Sequence, residues 1–211
     1  MGLRDIRTLT ALVVIGLSAW TISYGWSIVR FSYASATAVS PEARPAAVGP
    51  WAGTRGIAGA VLEASLTAAA AATDLDTLGT RGDQLAALLS RRPMSSMSWL
   101  SLASIRFLSG QPLDKVLAAL TLSSVTGANE GQAMSRRGLF GLWQWENMPS
   151  HVRRQMAADL AVSMREHAIS SGEQMTVYEI LVGKPADTRR EIADLLRADG
   201  LSAQDLRRIG L

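Results

Sequence analysis

Residues Leu9 to Val29 read LTALVVIGLSAWTISYGWSIV, an apolar run with no charged side chain. A helix rises about 1.5 Å per residue, so roughly 20 residues cross a hydrocarbon core about 30 Å thick. Arg4 and Arg7 precede the run and Arg30 closes it. Trp20, Tyr24 and Trp26 occupy its second half, where amphipathic rings favour the headgroup level. The run reads as one transmembrane helix, and the rest of the chain is expected to sit at a membrane.

The flanking charges set the orientation. With so short an amino-terminal tail carrying Arg4 and Arg7, the amino terminus is expected in the cytoplasm and the remainder outside it. Ala34-Ser35-Ala36 and Ala36-Thr37-Ala38 resemble signal-peptidase sites. A secretory apolar core is usually about 7–15 residues, and this one is longer, which favours an uncleaved anchor. Cleavage would instead release a secreted helical domain into the same compartment. The expected organisation is a cytoplasmic tail over 1–8, the membrane helix over 9–29, a linker over 30–56 and a helical domain over 57–211. Pro41, Pro45 and Pro50 with Gly49, Gly53 and Gly56 mark the linker, because proline fixes φ and removes a backbone donor.

Composition narrows the chemistry. There are no cysteines, which excludes disulfides, thiolate catalysis and cysteine-bound zinc. The net charge is +3, yet residues 150–211 hold nine Arg/Lys against nine Asp/Glu. No basic stripe interleaves with aromatics, so no nucleic-acid partner is expected. Aromatic content is 6% and β-branched runs are few, which disfavours strands.

From Ile57 onward the pattern is helical. An alanine-rich helix is expected over 58–73, then a break from Asp74 to Gly82 containing a Gly79-Thr80-Arg81-Gly82 turn. A short helix over 83–92 follows, stopped by Pro93. Ser95 or Ser96 opens a helix to Ser109, with Gly110 in the left-handed position beyond it. Pro112 starts the next, and Gly127 ends it. Asn129 with Gln132 forms a variant capping box for a helix through Trp145. Its second half is apolar all round and should be central, and Gly138 and Gly141 are explained by a close neighbouring backbone. Pro149 opens a helix with Val152, Met156, Leu160 and Met164 on one face, Asp159 among residues on other faces, and an end near Gly172. Helices over 173–181 and 187–198 and a short Ser202-capped helix complete the chain. Helices with such short links pack as antiparallel pairs, and stacked pairs make an α-solenoid. The fold class is therefore all-α, a membrane helix plus a tetratricopeptide-like array. The strict 34-residue repeat is matched at Trp99, Leu102, Ala103 and Gly110 but not in the later register.

Catalytic motifs are absent. His151 and His167, placed on one helix, would lie about 24 Å apart and could not share a metal. Asp74 and Asp76 lack a third ligand nearby, no GxSxG occurs, and the glycines near Thr80 lack the lysine of a phosphate loop. No cofactor, metal or catalytic residue is expected. One constellation stands out: Arg136, Arg137, Trp143 and Trp145. Trp and Arg are enriched at binding hot spots, so these four are candidates for a partner groove. In the alternative the tryptophans are core and the arginines solvated, and ordinary cores are rich in buried aromatics.

Trp99-Leu100, Ala103, Arg106, Gly110, Leu117 to Leu120, Gly127, Asn129-Glu130-Gly131, Arg137-Gly138-Leu139, Trp143, Pro149 and Arg153-Arg154 fall in an order that resembles small single-pass membrane proteins of alphaproteobacteria. Those proteins carry tetratricopeptide-like helices and are associated with surface-polysaccharide synthesis. The resemblance implies a bacterial inner-membrane protein with a periplasmic helical domain, accessory to glycan polymerisation or export. The expected function is a non-enzymatic interaction protein with an envelope protein partner. A glycan- or peptide-binding module is the competing expectation, and a small hydrolase is disfavoured by the scattered His, Asp and Glu.

Overall fold

A computed structural model describes residues 3–37, 50 and 75–211, and among these every regular element is helical. The chain divides into two units, Met1–Thr73 and Asp74–Leu211. The expected alanine-rich helix over 58–73 and most of the expected linker lie outside the described residues.

In the first unit a single helix, α1, runs Leu3–Thr37. Within it Leu12–Ala34 is long and apolar enough to cross a membrane. The helix continues past Val29 for two further turns, because Phe31 to Thr37 contains neither proline nor glycine to stop it.

The second unit begins with α2, Leu75–Leu89. The break expected over 74–82 is not there: Gly79, Thr80 and Gly82 are helical. Leu78, Gly82, Leu85 and Leu89 form one buried stripe at helical spacing, and its packing outweighs the poor glycine propensity. A Cβ at Gly82 would meet Ile105 Cγ2 at 3.2 Å, so glycine there permits close approach of the next helix.

Next come α3, Ser96–Leu108, and α4, Leu113–Thr126. Gly110 adopts φ 68°, as its position past the helix end requires. Helix α5 spans Gly131–Trp143 and α6 spans Ser150–Arg165, joined through a 3₁₀ turn at Trp145–Asn147. The Asn129–Gln132 box does not form. The N-cap of α5 is Glu130, whose carboxylate accepts the hydroxyl of Ser96 on α3. Helix α6 stops at Arg165, short of Gly172, and His167 turns the chain with φ 52°. The two histidines therefore do not share a helix.

Helix α7, Ser171–Val182, opens with a full capping box between Ser170 and Glu173. Helices α8, Ala186–Ala198, and α9, Ala203–Arg208, close the chain. The most extensive contacts join α3 to α4 and α5 to α6, the pairs linked by short connections. Further contacts skip one element: α3 meets α5, α5 meets α7, and α6 meets α8. Helix α5 is central, as its apolar second half predicts. The spaces at Gly138 and Gly141 are filled by Leu160 and Met156 of α6, which accounts for both glycines.

Candidate functional site

An apolar concave surface of the second unit lies along α3, α5 and α7. Met97, Leu100, Ser101 and Ser104 form one wall from α3, at helical spacing. Arg136, Leu139, Phe140 and Trp143 form the floor from α5, and Thr176 and Ile180 the far wall from α7. The space measures about 520 Å³ and is lined chiefly by carbon. Its hydroxyls face inward to their own helices: Ser101 donates to Met97 O at 3.0 Å, Ser104 to Leu100 O at 3.1 Å, and Thr176 to Gly172 O at 3.0 Å. The groove offers little hydrogen bonding and much apolar area.

The four residues singled out by sequence separate into two pairs. Trp143 lies in the groove with 51% of its surface exposed, its ring edge-on to Phe107 at 6.3 Å. Arg136 is also in the groove, and its Nε donates to Glu173 Oε1 at 2.8 Å. Glu173 thereby caps α7 and ties that helix to α5.

Arg137 and Trp145 are elsewhere. Arg137 is fully buried, with Nε 2.6 Å from Asp159 Oδ2 on α6. Its Nη1 and Nη2 donate to the carbonyls of Ser123 and Gly127, at the end of α4. Asp159 thus faces the interior, contrary to the exposed position its polarity suggests. Burial pushes its carboxyl above the ordinary aspartate range, and this outweighs the opposing hydrogen bond from Arg137. Trp145 is 1% exposed and wedges between α6 and α8. Its indole N–H donates to Glu191 Oε2 at 3.1 Å, and Arg153 donates to the same oxygen at 2.9 Å. The Arg153 guanidinium also sits 5.8 Å from the Trp145 ring centroid.

At the carboxyl end of α5 a second tie appears. Lys184 Nζ donates to Glu146 Oε2 at 2.7 Å. That hydrogen bond holds the Glu146 carboxyl below its ordinary value.

The groove residues of α3 and α7 were not singled out by sequence. Met97, Leu100, Ser101 and Ser104 fall at i, i+3, i+4 and i+7, so their shared face is legible. Which face is left uncovered depends on how α5 and α7 pack, and no local pattern encodes that. Among the described residues no three metal-ligating side chains converge. In comparisons with known protein families, curated proteins and solved structures, none matches this chain.

Proposed function

We propose that this chain is a membrane-anchored, non-enzymatic interaction protein of the bacterial envelope. In this reading α1 crosses the inner membrane with its amino terminus in the cytoplasm, and the second unit stands in the periplasm. The helix pairs stack as a tetratricopeptide-like solenoid. The skipped contacts α3–α5, α5–α7 and α6–α8 support this, since stacked pairs place alternate helices side by side.

The observation that carries the reading is the half-exposed Trp143 on the floor of an apolar groove. Exposed aromatics in a concave apolar surface are typical binding anchors. The occupant we propose is the apolar face of a helix from an envelope protein, the helix-in-groove mode. A glycan fits less well, because the groove is lined chiefly by carbon. Tethering raises the local concentration of the groove near membrane partners, which suits an accessory role beside polysaccharide polymerising or exporting machinery.

Photo-crosslinking in intact cells tests this directly. A photoreactive phenylalanine at Met97 should give a discrete heavier adduct, and the same group at Val125, exposed on α4, should not. No adduct from Met97, or equal adducts from both sites, would refute the groove. Release of the full chain from vesicles by carbonate would refute the anchor.

A further inference from the structure

Resting on the groove reading above, we infer that the partner helix carries an acidic side chain at one end of its apolar face, and that Arg136 pairs with it. Among the described residues that line the groove, Arg136 alone is charged, and the rest present mainly carbon. Arg136 and Trp143 are seven residues apart on one face of α5, about 10.5 Å along its axis. A helix laid along that face and anchored on Trp143 therefore also covers Arg136. Taking a cation out of water without giving it an acceptor costs more than the apolar contact beside it returns. An occupant of this groove has to bring an anion to that end.

Glu173 does not meet that demand. Its Oε1 lies 2.8 Å from Arg136 Nε, while its Oε2 accepts the backbone N–H and the hydroxyl of Ser170, both at 2.9 Å. A guanidinium has five N–H donors, and Nη1 and Nη2 of Arg136 have no acceptor among the described residues. The Glu173 side chain is 15% exposed and that of Arg136 52%, so the carboxylate is the covered member and the guanidinium the presented one. Glu173 is fixed by its capping box and in turn holds Arg136. The cation is thus oriented before a partner arrives, which reduces the entropy lost on binding.

The three helices add to the charge at the same end. Phe107 of α3 meets Phe140 and Trp143 of α5 at 6.2 and 6.3 Å, and Lys184, just past α7, reaches Trp143 O at 3.5 Å. With Glu173 opposite Arg136, these contacts show that α3, α5 and α7 run the same way. Their amino ends, the positive ends of their dipoles, lie toward Arg136. The acids there, Glu130 and Glu173, engage Ser96 and Ser170, and neither lines the groove. At the far end Glu146 is paired with Lys184. The groove is therefore cationic at one end and apolar at the other. Its complement is a helix face with an apolar anchor and a carboxylate two turns apart.

The test uses the full-length chain in intact cells, with the photoreactive phenylalanine at Met97 as the probe. Arg136→Gln should lower the adduct yield about tenfold. Glu173→Gln separates direct pairing from a structural role. Glutamine keeps the capping box but removes the ion pair, so the adduct should persist at the parental yield or above it. Mass spectrometry of the adduct should find an acidic residue within two turns of the attachment point. Changing that residue to lysine should abolish the adduct, and adding Arg136→Glu should bring it back. Unchanged yield in Arg136→Gln would overturn the inference. So would equal losses in Arg136→Gln and Glu173→Gln, which would mean that Arg136 only ties α5 to α7. An adduct with lipid, with a second copy of this chain, or with a segment lacking an acid would overturn it as well. No adduct from the parent would instead sink the groove reading beneath it.

Discussion

Arg137 and Asp159 form an ion pair that neither α5 nor α6 could bury alone. The guanidinium spends its remaining donors on the carbonyls of Ser123 and Gly127, so one side chain closes the end of α4 onto the α5–α6 pair. The pair stands behind the groove floor. Arg136, next in sequence, points the other way, to the groove and Glu173. Adjacent arginines on one helix thus divide between framework and surface.

Removing one member of this pair should be far more harmful than removing both. Arg137→Met leaves a buried carboxylate without its partner, at a cost of about 3–5 kcal/mol, while the Ser123 and Gly127 carbonyls keep the backbone N–H groups of Gly127 and Glu130. The double variant Arg137→Met with Asp159→Leu should recover a large part of that loss, since apolar replacement of a buried pair is often near neutral. Urea unfolding of the two variants and the parent gives the comparison. Equal losses in the single and double variants would mean that the carbonyl contacts, and not the buried charge, dominate.

The same pair sets a pH dependence. Its carboxyl is raised above the ordinary aspartate range, so the folded chain keeps this proton where the unfolded chain has released it. Stability contributed by Asp159 is therefore full below about pH 4 and declines as pH rises through the raised folded value. Asp159→Asn lacks that decline. The melting temperature of the variant lies below the parent, and the gap should narrow as pH rises from about 3 through the weakly acid range. Glu146 works in the opposite sense: Lys184 lowers its carboxyl, and the stability it adds is lost as pH falls. That contribution is common to both proteins and cancels in the difference. A gap that widens with pH contradicts the assignment.

Glycines in the second unit should respond by location. At Gly138 a Cβ would lie 2.7 Å from Leu160 Cβ and 3.1 Å from its Cα, so α6 itself must shift. Gly138→Ala is expected to cost about 1–3 kcal/mol. Gly79 has nothing within 4 Å of such a Cβ and sits inside α2. Gly79→Ala should stabilise by about 0.5–1 kcal/mol through helix propensity alone. Thermal melts of both variants separate the two effects, and destabilisation by Gly79→Ala would show a neighbour not accounted for.

These contrasts show what the sequence could and could not convey. Caps at Ser95 and Ser202 and stops at Gly110 and Gly127 are local events legible in the chain, whereas the spacing alone starts α7 at Glu173 and misses the Ser170–Glu173 box that opens it. Gly138 and Gly141 announced a close neighbour because their cost in a helix needed a compensating contact, which is the Leu160 backbone at Gly138 and the Met156 side chain at Gly141. The first half of the helix over Leu75–Leu89 was hidden by Gly79, Thr80 and Gly82, since propensity argued against it and only burial against α3 reverses the balance. Asp159 was hidden for a related reason. A lone acid on a helix is ordinarily solvated, and nothing in α6 reveals that Arg137 waits opposite. The groove needs three helices to exist, and its floor cannot be told from core by the spacing of α5.

Trp143 and Trp145 carry the sharpest test of the functional reading, because they stand two positions apart with opposite surroundings. Trp145 is sealed against α6 and α8 and anchored to Glu191. Trp145→Ala should cost about 3–5 kcal/mol, enough to unfold much of the second unit. Trp143 keeps half its surface in solvent and gains an edge contact with Phe107. Trp143→Ala should cost only about 1 kcal/mol in stability. If the groove binds a partner helix, that same variant should lose the adduct formed from a photoreactive group at Met97, because a central aromatic anchor is worth about 2 kcal/mol or more of binding. A folded Trp143→Ala protein that still forms the adduct at full yield would leave the groove without its anchor, and the partner would have to dock on another face.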